Sequence, residues 1–293
     1  RSAPGVRRGD RVAGLSGLML TFVEAISLAG DRGKQNDDAS GFAGQRAWVL
    51  DGATDLHDAP LSGAKSDASW IAHFANAYLH NANGDLIDVT RNASAAAASV
   101  FGALVGGRAY EKWQSPISSL LMVEETATGV RGVDLGDSRV FALSADGSVQ
   151  VAGGPPDAAD DESELAAKQT DGDKPLLRRE STIQLLRTMR AGINRPGTQW
   201  TFGIDPTCAD HARSWSFELS RTAHVLLMTD GFSALVDRYR AYDAAGLVRA
   251  ALDKGLQELG RELRAIEAAD AGGALHPRFK PSDDATALLM RLT

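Results

Sequence analysis

The chain has 293 residues, 43% of them hydrophobic, with 31 basic against 38 acidic side chains and a net charge of −7. That length and apolar content suffice for a sizeable core, in one large domain or two small ones, while the acidic balance argues against general nucleic-acid binding and against an anionic membrane surface. Cys208 is the only cysteine, which excludes an internal disulfide and any cysteine-ligated zinc or iron–sulfur centre, and the six histidines include no His-x-x-x-His pair.

The first methionine is Met19, and residues 1–20 are set aside as an N-terminal extension or tag remnant. Residues 12–23 are uncharged and follow several arginines, as in a signal sequence, but Glu24 interrupts them and they are too short to span a bilayer. A soluble, cytoplasmic monomer is the expectation. Thr21 to Ala29 reads as a first strand, followed by a polar turn from Gly30 to Asp38, and Gly41 to Leu50 reads as its hairpin partner. Trp70, Ile71, Phe74 and Tyr78 at helical spacing predict a helix over 66–80. The alanine run 95–98 predicts a second over 86–104.

Short β-branched runs at 118–124, 129–135, 140–143 and 149–152 then predict antiparallel sheet, not alternating βαβ units. The stretch 153–173 is rich in Pro, Gly, Asp and Glu and reads as an exposed, mobile acidic loop, an insertion and not a domain boundary. A helix over 176–191, strands over 198–204 and 213–219, a helix over 232–239, a long amphipathic helix over 244–268 and a closing strand over 285–292 complete the pattern. Without internal repeats, residues 21–293 read as a single domain.

Acids sit at strand ends in several places. Trp48-Val49-Leu50 runs into Asp51-Gly52, Val225 to Met228 into Thr229-Asp230-Gly231, and Asp283-Asp284 opens the apolar run 285–292, with Asp37-Asp38 just ahead of the first. If those ends converge, the carboxylates repel and at least one takes up a proton, unless cations neutralise them. Hard oxygen ligands without thiolate or imidazole favour Mg²⁺ or Mn²⁺ over Zn²⁺. With Asp51 bridging two ions and the carbonyl of Gly52 as a further ligand, a pair ~4 Å apart would bind a water, lower its pKa and clamp phosphoryl oxygens for in-line attack. The plainer readings are a capped turn for Asp37-Asp38 and a turn acid for Asp137.

Asn36-Asp37-Asp38, Val49-Leu50-Asp51-Gly52, Gly136-Asp137-Ser138-Arg139, Thr229-Asp230-Gly231 and Asp283-Asp284-Ala285-Thr286 occur in that order over residues 21–293. Together they resemble the metal-dependent Ser/Thr protein phosphatases of type 2C, the PPM family, in a bacterial-like form. The resemblance implies an α+β fold, a four-layer αββα sandwich of two antiparallel sheets flanked by helices, with two Mn²⁺ or Mg²⁺ ions at one end. It further implies that Asp51 bridges the ions, Gly52 donates its carbonyl, Asp230 and Asp283 hold the first ion, and Asp37 stands on the second, where the family usually has glutamate. Asp38 matches the acid that orients metal-bound water, and Asp137 an acid at a third, weaker ion.

Two departures accompany the match. Ala53 stands where many members carry a histidine proposed as general acid, and His57, four residues on, is the candidate substitute. The phosphate-binding arginine has no clean counterpart. Arg32 is chosen over Lys34 because a guanidinium donates in two prongs where an ammonium is a point charge. Residues 187–205 fall in the family's flap region, beside the active site. The implied activity is hydrolysis of phosphoserine and phosphothreonine on proteins, and the alternatives are a catalytically weak phosphoprotein-binding module or a phosphatase for a small phosphorylated metabolite.

Overall fold

Side-chain alternation decides the layering. Between residues 46 and 52, Ala47 and Val49 face one way and Trp48 and Leu50 the other, and all four are fully buried, which a strand achieves only with both faces covered. The computed structural model describes residues 18–155, 158–169 and 176–293. The expected N-terminal extension therefore lies outside the described residues up to position 17.

In chain order the elements are β1 (Leu20–Leu28), β2 (Asp38–Ala43), β3 (Arg46–Gly52), α1 (Asp67–Leu79), α2 (Leu86–Val105), β4 (Ile117–Thr126), β5 (Gly129–Leu135), β6 (Arg139–Leu143) and β7 (Val149–Gly153). They continue with α3 (Ala158–Ala167), α4 (Glu180–Gly192), β8 (Phe202–Gly203), β9 (Arg213–Glu218), β10 (His224–Met228), α5 (Asp230–Asp237), α6 (Ala244–Lys254), α7 (Leu256–Ala269) and β11 (Ala285–Leu292). One antiparallel sheet runs β1-β11-β10-β6-β7 and the other β2-β3-β4-β5-β9, with β8 added beside β4.

Three clusters glue the layers. Ala47, Val49, Leu121, Val123, Val140, Val225, Leu227 and Leu288 fill the space between the sheets. Trp48, Leu50, Leu120 and Met122 meet Ile71, Ala75, Val89 and Ala97 of α1 and α2 on one outer face. Phe141, Leu226, Met228 and Leu289 meet Phe232, Leu247, Leu259 and Leu263 of α5, α6 and α7 on the other. The fold is the α+β sandwich of two antiparallel sheets flanked by helices.

Several expected elements change. The hairpin is formed within 38–52, by β2 and β3 around Gly44 at φ +57°, while β1 pairs with β11. The acidic stretch expected as a loop is helical at α3. Its Ala, Glu and Leu content suits a helix, Asp160 and Asp161 sit in its favourable first turn, and Glu162 and Asp160 pair with Arg238 and Arg240 beyond α5. Positions 156–157 and 170–173 of that stretch lie outside the described residues. The helix expected over 244–268 breaks at Gly255, whose φ of +82° ends α6, and Glu24 Oε2 then accepts from the Leu256 N–H at 3.0 Å. The strand expected over 198–204 shrinks to β8, because Asn194 takes up Thr201 through two amide bonds instead.

Candidate functional site

The row Ala47, Val49 on β3 leads by period two to Asp51, so this carboxylate points into the gap between the sheets. Asp38 sits directly opposite Asp51 in the β2–β3 register and shares its face. From the other sheet the row Val225, Leu227 on β10 leads to Thr229, which caps α5, and Asp230 opens that helix. Asp283 arrives on the loop before β11, and Asp137 on the turn between β5 and β6. The ends of both sheets thus gather five acids at one edge of the sandwich.

Their mutual influence is legible in their protonation. Withdrawal from water, then the charges of Asp230 and Asp38, push the Asp51 carboxyl well above the usual range. Asp38 is raised likewise, first by burial, although a bond from Thr229 Oγ1 at 2.8 Å to its Oδ2 opposes this. Asp137 is pushed up to about 7 by withdrawal from water and by Asp230 and Glu162. Asp37, pushed up to about 6 chiefly by partial burial, accepts from Ser66 Oγ at 2.5 Å. Asp283 goes down instead. Loss of water opposes its ionisation, but the charge and hydrogen bond of Lys280, whose Nζ is 2.6 Å away, outweigh that.

This donor set fits a hard divalent cation. All its groups are oxygens, and Asp38 Oδ1 is buried without a hydrogen-bond partner. A side chain on Gly52 would start 2.5 Å from the Ala68 carbonyl and 2.7 Å from the Asp37 carbonyl, so only glycine lets these backbones close together there. Asp284 supports the arrangement by accepting from the Gly30 and Asp37 N–H groups at 2.7 and 2.6 Å, pinning the turn between β1 and β2.

The two remaining expected residues differ in setting. Arg32 is exposed in that turn, as is Lys34. His57 joins a second acidic group. Its Nε2 is 3.0 Å from Asp67 Oδ2, its ring packs edge-on against Trp113, its Nδ1 is buried without a partner, and its side chain is 9% exposed. Asp67 holds Nε2, so a proton given by His57 to a leaving group would come from Nδ1, which is buried. The facing atoms of Asp55, His57 and Asp67 lie within 4.8 Å of one another, and by that spacing they form the candidate metal triad among the described residues. Those carboxylates are already engaged. Asp67 accepts from the Leu61 and Ser62 N–H groups at 2.8 Å, and Asp55 from those of Asp67 and Ala68 at 2.8 and 3.1 Å.

Two arginines of the segment expected as a flap reach the loop that carries this second group. Arg187 donates to the Leu56 carbonyl and lies over the Trp113 ring, and Arg190 donates to the carbonyls of Ala53 and Thr54. Burial lowers the Arg190 pKa to about 10. Three residues of the cleft escaped the sequence. Lys280, Glu162 and Arg238 line it together with Asp230 and Asp283. Glu162 was hidden in a stretch read as a loop, and Lys280 showed only as a cation three residues ahead of Asp283.

No protein-family model and no curated protein matches this sequence. Solved structures do. PppA, a regulatory component of the type VI secretion system in Pseudomonas aeruginosa, is similar at 15% identity and a TM-score of 0.55, over 95% of this chain and 99% of that one. MsPP, a PPM Ser-Thr phosphatase from Mycobacterium smegmatis bound to cacodylate, is similar at 19% identity and a TM-score of 0.54, over 93% and 100%. The catalytic domain of the serine/threonine protein phosphatase PstP with two manganese ions is similar at 19% identity and a TM-score of 0.52, over 94% and 99%. The chain has a PPM-like serine/threonine phosphatase fold. No helix among the described residues is long and apolar enough to cross a membrane.

Proposed function

We propose that this chain is a Mn²⁺- or Mg²⁺-dependent phosphomonoester hydrolase that removes phosphate from serine and threonine side chains of proteins. The observation that carries the reading is the meeting of Asp38, Asp51, Asp137, Asp230 and Asp283, with Asp38 Oδ1 buried and unpartnered among them. Isolated carboxylates in such surroundings are costly, and a cation relieves them. In this reading Asp51, the Gly52 carbonyl, Asp230, Asp283 and Asp37 hold the cations, with Asp137 at a third, weaker site. Two hard divalent ions would supply Lewis acidity toward phosphoryl oxygens and an activated water at neutral pH.

The chain's own groups take the remaining tasks. Asp38, fixed on one oxygen by Thr229, has its other oxygen free to orient a nucleophile. Thr229 is fixed in turn by accepting from the Thr286 N–H at 3.0 Å. Arg32 is assigned to the phosphate, because the turn that carries it is tied to Asp284 beside the acids. The manganese ions of PstP and the phosphatase activity named for MsPP belong to those proteins, and they support the choice of cation and of substrate class here.

Turnover of a phosphoserine or phosphothreonine peptide and of p-nitrophenyl phosphate, measured with Mn²⁺ and again with EDTA, tests the proposal. Metal-dependent turnover of both is expected. Its absence favours a phosphoprotein-binding module, a reading that the missing histidine at Ala53 independently supports. Activity confined to small phosphorylated metabolites overturns the protein-substrate part alone.

A further inference from the structure

The cleft contains a positive charge that belongs to the chain. Lys280 Nζ lies 2.6 Å from Asp283 Oδ1, and its charge also acts on Asp51, Asp230 and Asp37. The loop that carries it is rigidly built. Arg278, only 4% exposed, donates to the carbonyls of Glu267, Asp270, His276 and Pro281 and pairs with Asp270 at 3.0 Å. Asp270 in turn accepts from the N–H groups of Ala274, Leu275 and His276. The backbone around Lys280 is therefore fixed, and its side chain, 31% exposed, reaches from it to Asp283.

We propose that Lys280 is a tethered cation that occupies one of the cation positions of the carboxylate cluster, so that the folded chain holds one divalent ion near Asp38 and Asp51 and admits a second only when Lys280 swings away. The inference rests on reading the five acids as a cation site. Asp283 Oδ1 already accepts from Lys280 and from the Asp284 N–H at 2.9 Å. A divalent ion on that oxygen, at about 2.1 Å, would face the ammonium across a few ångströms, where two like charges repel strongly. Arg238 is near Asp230 but joined to Glu162, and Arg264 meets Asp283 at its carbonyl, whereas Lys280 bonds the Asp283 carboxylate itself. On the Asp38 side an acceptor oxygen stands open.

Titration calorimetry with Mn²⁺ on the metal-stripped full chain, with bound ions counted by electron paramagnetic resonance, decides the matter. Wild type is expected to bind one ion tightly. Lys280→Met is expected to bind two, the second at least about tenfold more tightly than wild type does. Lys280→Arg, which keeps the charge, is expected to retain the wild-type count. Two tight ions in wild type, with affinities unchanged in Lys280→Met, overturn the inference and leave the cation site standing. No ion bound by either protein overturns the cation site and the inference with it. Should Lys280→Met fail to fold by circular dichroism, Lys280→Gln, which keeps a donor toward Asp283, replaces it with the same two outcomes.

Discussion

Two acidic groups flank the segment between β3 and α1, one centred on Asp51 and one on Asp67, and they are built in opposite ways. Around Asp67 each carboxylate oxygen already receives N–H donors, from Leu61, Ser62 and His57 on one residue and from the first turn of α1 on the other. Around Asp51 no such donors converge among the described residues, and burial with neighbouring carboxylates raises Asp51 and Asp38 well above the usual range. Tight spacing of acids is therefore a poor guide to cation demand. What matters is whether backbone donors have already met the charge.

The largest expected effect breaks the comparison at its acidic end. Asp51→Asn should bring Mn²⁺-dependent turnover to background and abolish the Mn²⁺ isotherm, while metal-free melting stays equal or rises, since an amide spares the chain the cost of burying or protonating a carboxylate there. A wild-type isotherm in this variant would remove the site. Asp67→Ala should do the reverse. It leaves buried donors unmet and lowers stability by about 2–4 kcal/mol, read by urea denaturation, with the Mn²⁺ stoichiometry unchanged.

A smaller effect concerns pH. Asp37 and Asp137 titrate at about 6 and about 7 in the folded chain against 3.8 as the ordinary value. Between those limits the folded chain binds more protons than the unfolded one, so stability present at pH 4 is lost as pH rises through 7. Metal-free melting temperatures should fall across that window, and saturating Mn²⁺ should remove the slope. The smallest effect is His57→Ala, expected to cost about 1 kcal/mol through its bond to Asp67 with an unchanged rate on a phosphoserine peptide. A rate loss of ~10² or more would instead make it the proton donor.

Much of this was legible in the residues because the relevant patterns are local. Gly129–Leu135 and Ala285–Leu292 form strands with the expected bounds, since alternating β-branched and apolar side chains are flanked there by turn residues. The acids of the site could be named because each follows an apolar run. Other features depend on partners distant in sequence. The helix at 158–167 is favoured by Arg238 and Arg240, which no local reading of an acidic stretch supplies. The break at Gly255 is stabilised by Glu24, more than two hundred residues earlier. Lys280 gains meaning only when the fold carries it in front of Asp51 and Asp230.

The pairing of β1 with β11 has a consequence for synthesis. Asp284, at the head of β11, ties down the turn before β2, and Asp283 beside it completes the acidic edge begun by Asp38 and Asp51. The early half of the acidic edge is therefore made long before the residues at 283 and 284 that complete and brace it. A chain cut before β11 would lack both Asp283 and the carboxylate that holds the turn before β2.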